Sequence, residues 1–178
     1  MVGLLFVPGY LYFGKDLVIQ AALACLIASA LFELIRLRSY RWFPFKPLYE
    51  ALARPTEKTK VSGYFYFFLG AAMVLAILKV EIALLAIASS VVGDVFSAII
   101  GGLVGRHRIP GKGSKSFEGA FAGALAIIAL LFFYSTPLVP VAAASFTFVE
   151  LLNRPEVDDN LLHPLVIGVV TGLCDLIL

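Results

Sequence analysis

Apolar residues run along this chain in long unbroken blocks. They show neither the three-and-four spacing of a surface helix nor the alternation of a half-buried strand. Six blocks stand out: Leu17–Leu37, Ser62–Leu78, Glu81–Gly105, Phe117–Tyr134, Pro137–Leu152 and Leu161–Leu178. A helix that crosses a bilayer needs about 17 to 25 such residues. A seventh block, Met1–Phe13, is short and interrupted by Pro8 and Gly9, so a truncated span or a re-entrant piece is expected there. It lacks the basic leader region of a signal peptide. The pattern predicts an all-α fold: a polytopic integral membrane bundle of six to seven transmembrane helices, with residues 1–178 forming one domain.

Composition strengthens that reading. Of 178 residues, 61% are hydrophobic and 15% charged, with a mean hydropathy of +0.96. A soluble domain carries about 25% charged residues, and a soluble chain of this length could not cover so much apolar surface. Cys25 and Cys174 each sit alone in an apolar block, as packing thiols do.

The net charge of +2 hides a strong polarity. If the blocks alternate across the membrane, one side receives Arg36, Arg38, Arg41, Lys46, Arg54, Lys58, Lys60, Arg106, Arg108, Lys112, Lys115 and Arg154. The other receives Lys15 and Lys79. Basic residues mark the cytoplasmic side. The acids Glu33, Glu57, Asp94, Glu118, Glu150, Asp158 and Asp159 fall on, or lead down to, the same side. Intramembrane carboxylates are costly and point to function.

Three polar clusters carry the candidate chemistry. In "GDVFSAIIGGLVGR", Asp94 stands above Ala98, Gly101, Gly102 and Gly105 on one helix face. Small-residue helix packing accounts for the glycines; a carboxylate facing a cavity and holding a divalent cation accounts for Asp94 as well. In "GKGSKSFEGAFAG", a loop rich in lysine and glycine runs straight into an apolar helix. A Walker A loop is excluded, because five residues separate Gly105 from Gly111 and glycine follows Lys112. Lysines beside a helix N-terminus still suit an anion, with Ser116 as N-cap. Mg2+ would be held by carboxylates together with substrate phosphates. In "VELLNRPEVDDNLLHPL", Asp158, Asp159 and Asn160 read either as a helix cap or as a metal or ribose site, and His163 reads as a hydrogen-bonded packing histidine. A further loop, "ARPTEKTKVSGYFYF", contributes Arg54, Glu57, Lys58 and Lys60. Glu33 and Arg36 are spaced for an intrahelical ion pair, which near a phosphate would also aim the arginine.

In order and spacing, "ELIR", "ARPTEKTKVSGYFYFFLG", "GDVFSAIIGGLVGR", "GKGSKSFEGAFAG" and "VDDNLLHPL" resemble the CTP-dependent lipid kinases: dolichol or polyprenol kinase, phytol kinase and CTP-dependent diacylglycerol kinase. The resemblance covers most of the chain. It implies transfer of the γ-phosphoryl group of CTP, as co-substrate, to a lipid hydroxyl with Mg2+ or Mn2+. It also implies catalytic roles for Asp94, Lys115 and Glu118. Nucleotide contacts would come from Lys112, Gly113, Ser114, Ser116, Arg106, Arg54, Lys60 and Asn160, and metal contacts from Asp94, Glu57, Asp158 and Asp159. The expected partners are a membrane lipid alcohol, CTP and the bilayer, with no nucleic acid and with a homodimer left open. The expected location is the cell membrane of a prokaryote, or the endoplasmic reticulum membrane of a eukaryote, with the site facing the cytoplasm. The nearest rival, CTP:phosphatidate cytidylyltransferase, shares the "KS-x-EG" helix start but carries a "HGG" pattern where this chain reads "DDNLLHP". A non-catalytic transporter or scaffold is the other alternative. It is disfavoured because the opposite side holds only Lys15, Asp16, Lys79, Glu81 and Asp175 as charged residues.

Overall fold

A computed structural model of the chain describes residues 2–38, 46, 49, 60–134, 136–152 and 157–178. Its named elements are helices, and among the described residues the only strand-like pairing is a bridge between Arg108 and Ser116. A 3-10 turn at Val2–Leu5 leads into α1 (Phe6–Arg38). Then follow α2 (Gly63–Ile77), α3 (Val80–Val104), α4 (Phe117–Ala129), a single turn at Leu131–Tyr134, α5 (Leu138–Leu151) and α6 (Asp159–Asp175).

The α3 helix is the hub. Every residue from Ile82 to Val91 is buried. One side of it joins α1 and α2 through Phe6, Val18, Ala22, Val74, Leu75, Leu84 and Ile87. Its other side joins α4, α5 and α6 through Leu85, Ile127, Val139, Phe146 and Ile167. Small residues let these helices approach closely. The Phe146 ring is fully buried between Gly93 of α3 and Gly123 of α4, where an added Cβ would lie 2.5 Å and 2.6 Å from it. A Cβ on Gly119 of α4 would lie 2.6 Å from the Ser97 carbonyl oxygen and 3.0 Å from Gly101 Cα. The Gly101 and Gly105 stripe below Asp94 is thus the seam between α3 and the start of α4, not the wall of a cavity.

The chain turns in the gap before Leu17, and the short block that ends at Phe13 is helical through its proline and glycine. Pro8 and Gly9 do not interrupt it: Pro8 is the third residue of α1, in the first turn, where a missing N–H costs nothing. The break is Gly14, at φ 79° and ψ −179°, a conformation open essentially only to glycine. A Cβ on Gly9 would lie 3.7 Å from Val18 Cγ2. Nine residues of straight helix would hold those positions about 13.5 Å apart, so the chain folds back at Gly14. The arm Phe6–Phe13 runs against α3, with the Tyr10 hydroxyl donating to Glu81 Oε1 at 2.6 Å near the start of that helix. Further along, Gly3 abuts Phe67 of α2 and Val91 of α3. The second arm returns along α2 and shows Leu23, Ile27, Leu31 and Leu34 outward, an exposed apolar stripe of a kind soluble proteins rarely tolerate.

Among the described residues, two helices are long and apolar enough to cross a membrane: the segment Val2–Arg38 and α3 at Val80–Val104. The blocks beginning at Ser62, Phe117, Pro137 and Leu161 form helices of 15, 13, 14 and 17 residues, most of them shorter than the pattern predicts. The Phe117 block is shortened because its helix ends at Ala129, before the separate turn at Leu131.

Candidate active site at the polar end of the bundle

The loop from α3 to α4 folds back on itself. Ile109 N–H donates to the Lys115 carbonyl at 3.0 Å, and Phe117 N–H to that of His107 at 3.0 Å. Gly111 (φ 76°) and Gly113 (φ 61°) make the tight reversal, so Gly113 serves backbone shape. Ser116 is the N-cap of α4, its hydroxyl accepting from Gly119 N–H at 3.1 Å, as the sequence predicts. Arg108 is tied to the Ser114 carbonyl.

This fold turns both loop lysines onto the ends of α5 and α6. Lys112 Nζ donates to Asp159 Oδ1 at 2.8 Å, and Lys115 Nζ bridges Glu150 Oε2 at 2.6 Å and Asp159 Oδ2 at 2.9 Å. Burial alone would weaken the Lys115 charge, but Glu150 and Asp159 outweigh it and hold its pKa above the ordinary lysine value. Glu150 is fully buried and receives two further donors: the Ser97 hydroxyl at 2.6 Å and, across 3.2 Å, His163 Nε2. The His163 ring stacks on Phe146, with centroids 4.6 Å apart and planes 21° from parallel. Its Nδ1 is buried and, among the described residues, has no hydrogen-bond partner.

Beside this network lies a pocket of about 300 Å3, walled by Val2, Phe67, Phe68, Val91 and Val95, with Tyr64, Ser90, Asp94, Asn160 and His163 as its polar lining. Asp94 is half-buried, and among the described residues no hydrogen bond or ion pair engages its carboxylate. Tyr64 is held from behind by Glu33, which also accepts from Arg36 Nη2 at 2.6 Å and from Ser62 N–H at 3.1 Å. Arg36 continues to the Lys60 carbonyl at 2.6 Å. The pairing of Glu33 with Arg36 therefore ties α1 to the start of α2.

The residues singled out in the sequence divide accordingly. Lys112, Lys115 and Asp159 converge, and Asp94 and Asn160 share the pocket. Asp158 caps α6, accepting from Asn160 N–H at 2.9 Å and from its side-chain amide at 2.7 Å. Glu118 turns to His107, accepting from its backbone N–H at 3.1 Å and meeting its Nδ1 at 2.6 Å, so it braces the start of the loop. Arg106 and Lys60 are exposed. Arg54 and Glu57 lie outside the described residues.

Among the described residues no three His, Cys, Asp or Glu side chains are grouped to hold a metal by themselves. The donors fit a cation that arrives with phosphates: Mg2+ keeps most of its ligands as water and phosphate oxygens and takes one or two carboxylates, and Asp94 is the open one. Glu150, Ser97 and Tyr64 were not singled out as site residues in the sequence, and His163 reads there as packing. Glu150 sits 13 residues before His163 and 35 after Lys115, spacings with no motif behind them. Its one sequence signal is a lone acid at the end of an apolar block. The chain matches no protein-family model, no curated protein and no solved structure.

Proposed function

We propose that the chain is a multi-pass membrane enzyme, a CTP-dependent lipid-alcohol kinase. It transfers the γ-phosphoryl group of CTP to the hydroxyl of a polyprenol, dolichol or diradylglycerol type of lipid. The observation that carries the proposal is the pocket itself, in which an unpaired carboxylate, Asp94, faces a mostly apolar wall beside a lysine loop. An apolar wall suits a lipid chain, and the polar lining suits its hydroxyl. The outward Leu and Ile stripe of α1 supports a bilayer around the molecule. The short helices span it with help from the turns that flank them. Basic residues around Arg36, Lys60 and the Arg106–Lys115 loop would face the cytoplasm.

Phosphoryl transfer asks mainly for positioning and charge neutralisation. Lys112 and Lys115 are already oriented, each by a carboxylate, so a triphosphate would take their ammonium groups in exchange for Asp159. Asp94 would hold Mg2+ against the phosphates, and the cation would supply further charge neutralisation. CTP, rather than another nucleotide, rests on the resemblance to the lipid kinases.

The test is an assay of the purified full chain with Mg2+, γ-labelled CTP, ATP and GTP, and a panel of polyprenol, diacylglycerol and phytol. The expected result is label in a lipid phosphate, with CTP the best donor. Incorporation of CMP into phosphatidate instead would move the assignment to the cytidylyltransferase. No transfer of either kind would leave a binding or scaffold protein.

A further inference from the structure

His163 plays no part in the proposal above; its bond to Glu150 and its stack on Phe146 are those of a hydrogen-bonded packing histidine, and its second ring nitrogen is left over. Glu150 is ion-paired with Lys115 and is therefore an acceptor only. Across 3.2 Å, His163 Nε2 must be the donor to it. In the neutral ring that choice leaves Nδ1 as the bare lone pair. Nδ1 is buried with no partner among the described residues, although an unsatisfied buried acceptor costs free energy. The side chain is 3% exposed, its ring is fixed by Phe146, and it lines the pocket that holds Asp94. An unpartnered base nitrogen on a ring that a carboxylate orients and that lines a pocket is the arrangement that activates hydroxyl nucleophiles.

We propose that His163 Nδ1 accepts the hydrogen bond of the substrate hydroxyl and, during transfer, its proton, with Glu150 as the residue that fixes the ring. This rests on the lipid-kinase reading for the identity of the hydroxyl and of the phosphoryl donor. In the step, the lipid oxygen forms a bond to the γ-phosphorus as the bond from that phosphorus to the β,γ-bridging oxygen breaks. The nucleoside diphosphate leaves with that electron pair, and the hydroxyl proton passes to Nδ1 and then to solvent. Asp94 from α3, Tyr64 from α2, Glu150 from α5 and Lys115 from the loop are the ionisable groups placed around the ring and its pocket. Of these, Asp94 is reserved for the cation, while Tyr64 and Glu150 are already bonded.

Two measurements on the full chain in lipid nanodiscs decide it. The first is nitrogen-15 NMR of labelled histidine, with the His163 signals identified by their loss in His163→Phe. The pyridine-type nitrogen should be Nδ1, and it should move upfield on adding a long-chain alcohol but not the corresponding methyl ether. The second is transfer from CTP. His163→Phe keeps a ring against Phe146 and should lose about 100-fold or more in kcat with little change in KM for the lipid. His163→Gln serves in its place if the Phe variant does not fold.

A pyridine-type Nε2 overturns the proposal, as does a signal indifferent to an alcohol that the enzyme phosphorylates. Wild-type turnover in a folded variant does the same. If the wild-type chain phosphorylates no alcohol, the kinase reading falls separately. An alcohol-dependent shift at Nδ1 then still establishes His163 as the hydroxyl acceptor, and no shift removes that role too.

Discussion

Replacing Lys115 by methionine tests whether the polar network holds the bundle together. The substitution removes one ammonium and keeps most of the stem volume, leaving fully buried Glu150 without the ammonium it meets at 2.6 Å. Breaking a buried pair by removing one member costs about 3–5 kcal/mol. Ser97 and His163 continue to donate to Glu150, and Asp159 keeps Lys112, so the lower end, about 3 kcal/mol, is expected. Denaturant titration in mixed micelles reads this directly. Lys115→Met combined with Glu150→Met should recover most of the loss, because replacing a whole buried pair by apolar groups is near neutral. The pH dependence has a definite sign. The native pKa of Lys115 lies above its unfolded value, so its contribution is complete below about pH 10.4 and fades as pH rises through the native value. The gap between wild type and Lys115→Met should therefore be equal at about pH 6 and about pH 9. A Lys115→Met protein as stable as wild type, or a double variant no better than the single, would refute the reasoning.

Asp94→Asn keeps size and removes charge. Transfer should fall about 100-fold or more, the loss of an electrostatic contact worth about 3 kcal/mol, with the melting temperature unchanged; retained transfer would take the cation away from Asp94. Gly123→Ala drives a methyl group to 2.6 Å from the buried Phe146 ring and should cost about 1–3 kcal/mol in the same titration. A neutral result would mean that Phe146 can move aside. Gly14→Ala meets nothing within 4 Å, so its expected cost of about 1–3 kcal/mol is purely that of the backbone conformation. Equal stability would show that the chain does not turn there.

The sequence carries the helical architecture because a long apolar block has few other ways to satisfy its backbone. Local chemistry was readable at Ser116, a cap whose side chain reaches an N–H three residues on, while at Asp158 the cap was one of two readings the sequence left open. The cluster of Lys115, Glu150, Asp159 and His163 was not readable as a unit. Its members come from a loop and two helices, and only packing decides which lysine meets which acid. The turn at Gly14 falls in the gap that the pattern leaves between Phe13 and Leu17, and what misled was the proline and glycine ahead of it. Pro8 and Gly9 look like breakers, but a proline in a first turn breaks nothing, and the sign of φ at Gly14 is set by what the two arms pack against.

The fold-back at Gly14 has a practical side. It brings Val2 and Gly3 into the wall of the cavity that Asp94 and His163 share. An affinity tag joined ahead of Val2 starts from that wall. If the pocket takes a lipid, as proposed, a bulky amino-terminal fusion would crowd that wall. The same protein tagged after Leu178, close to the α6 end where Lys79 meets Asp175, would leave that wall clear.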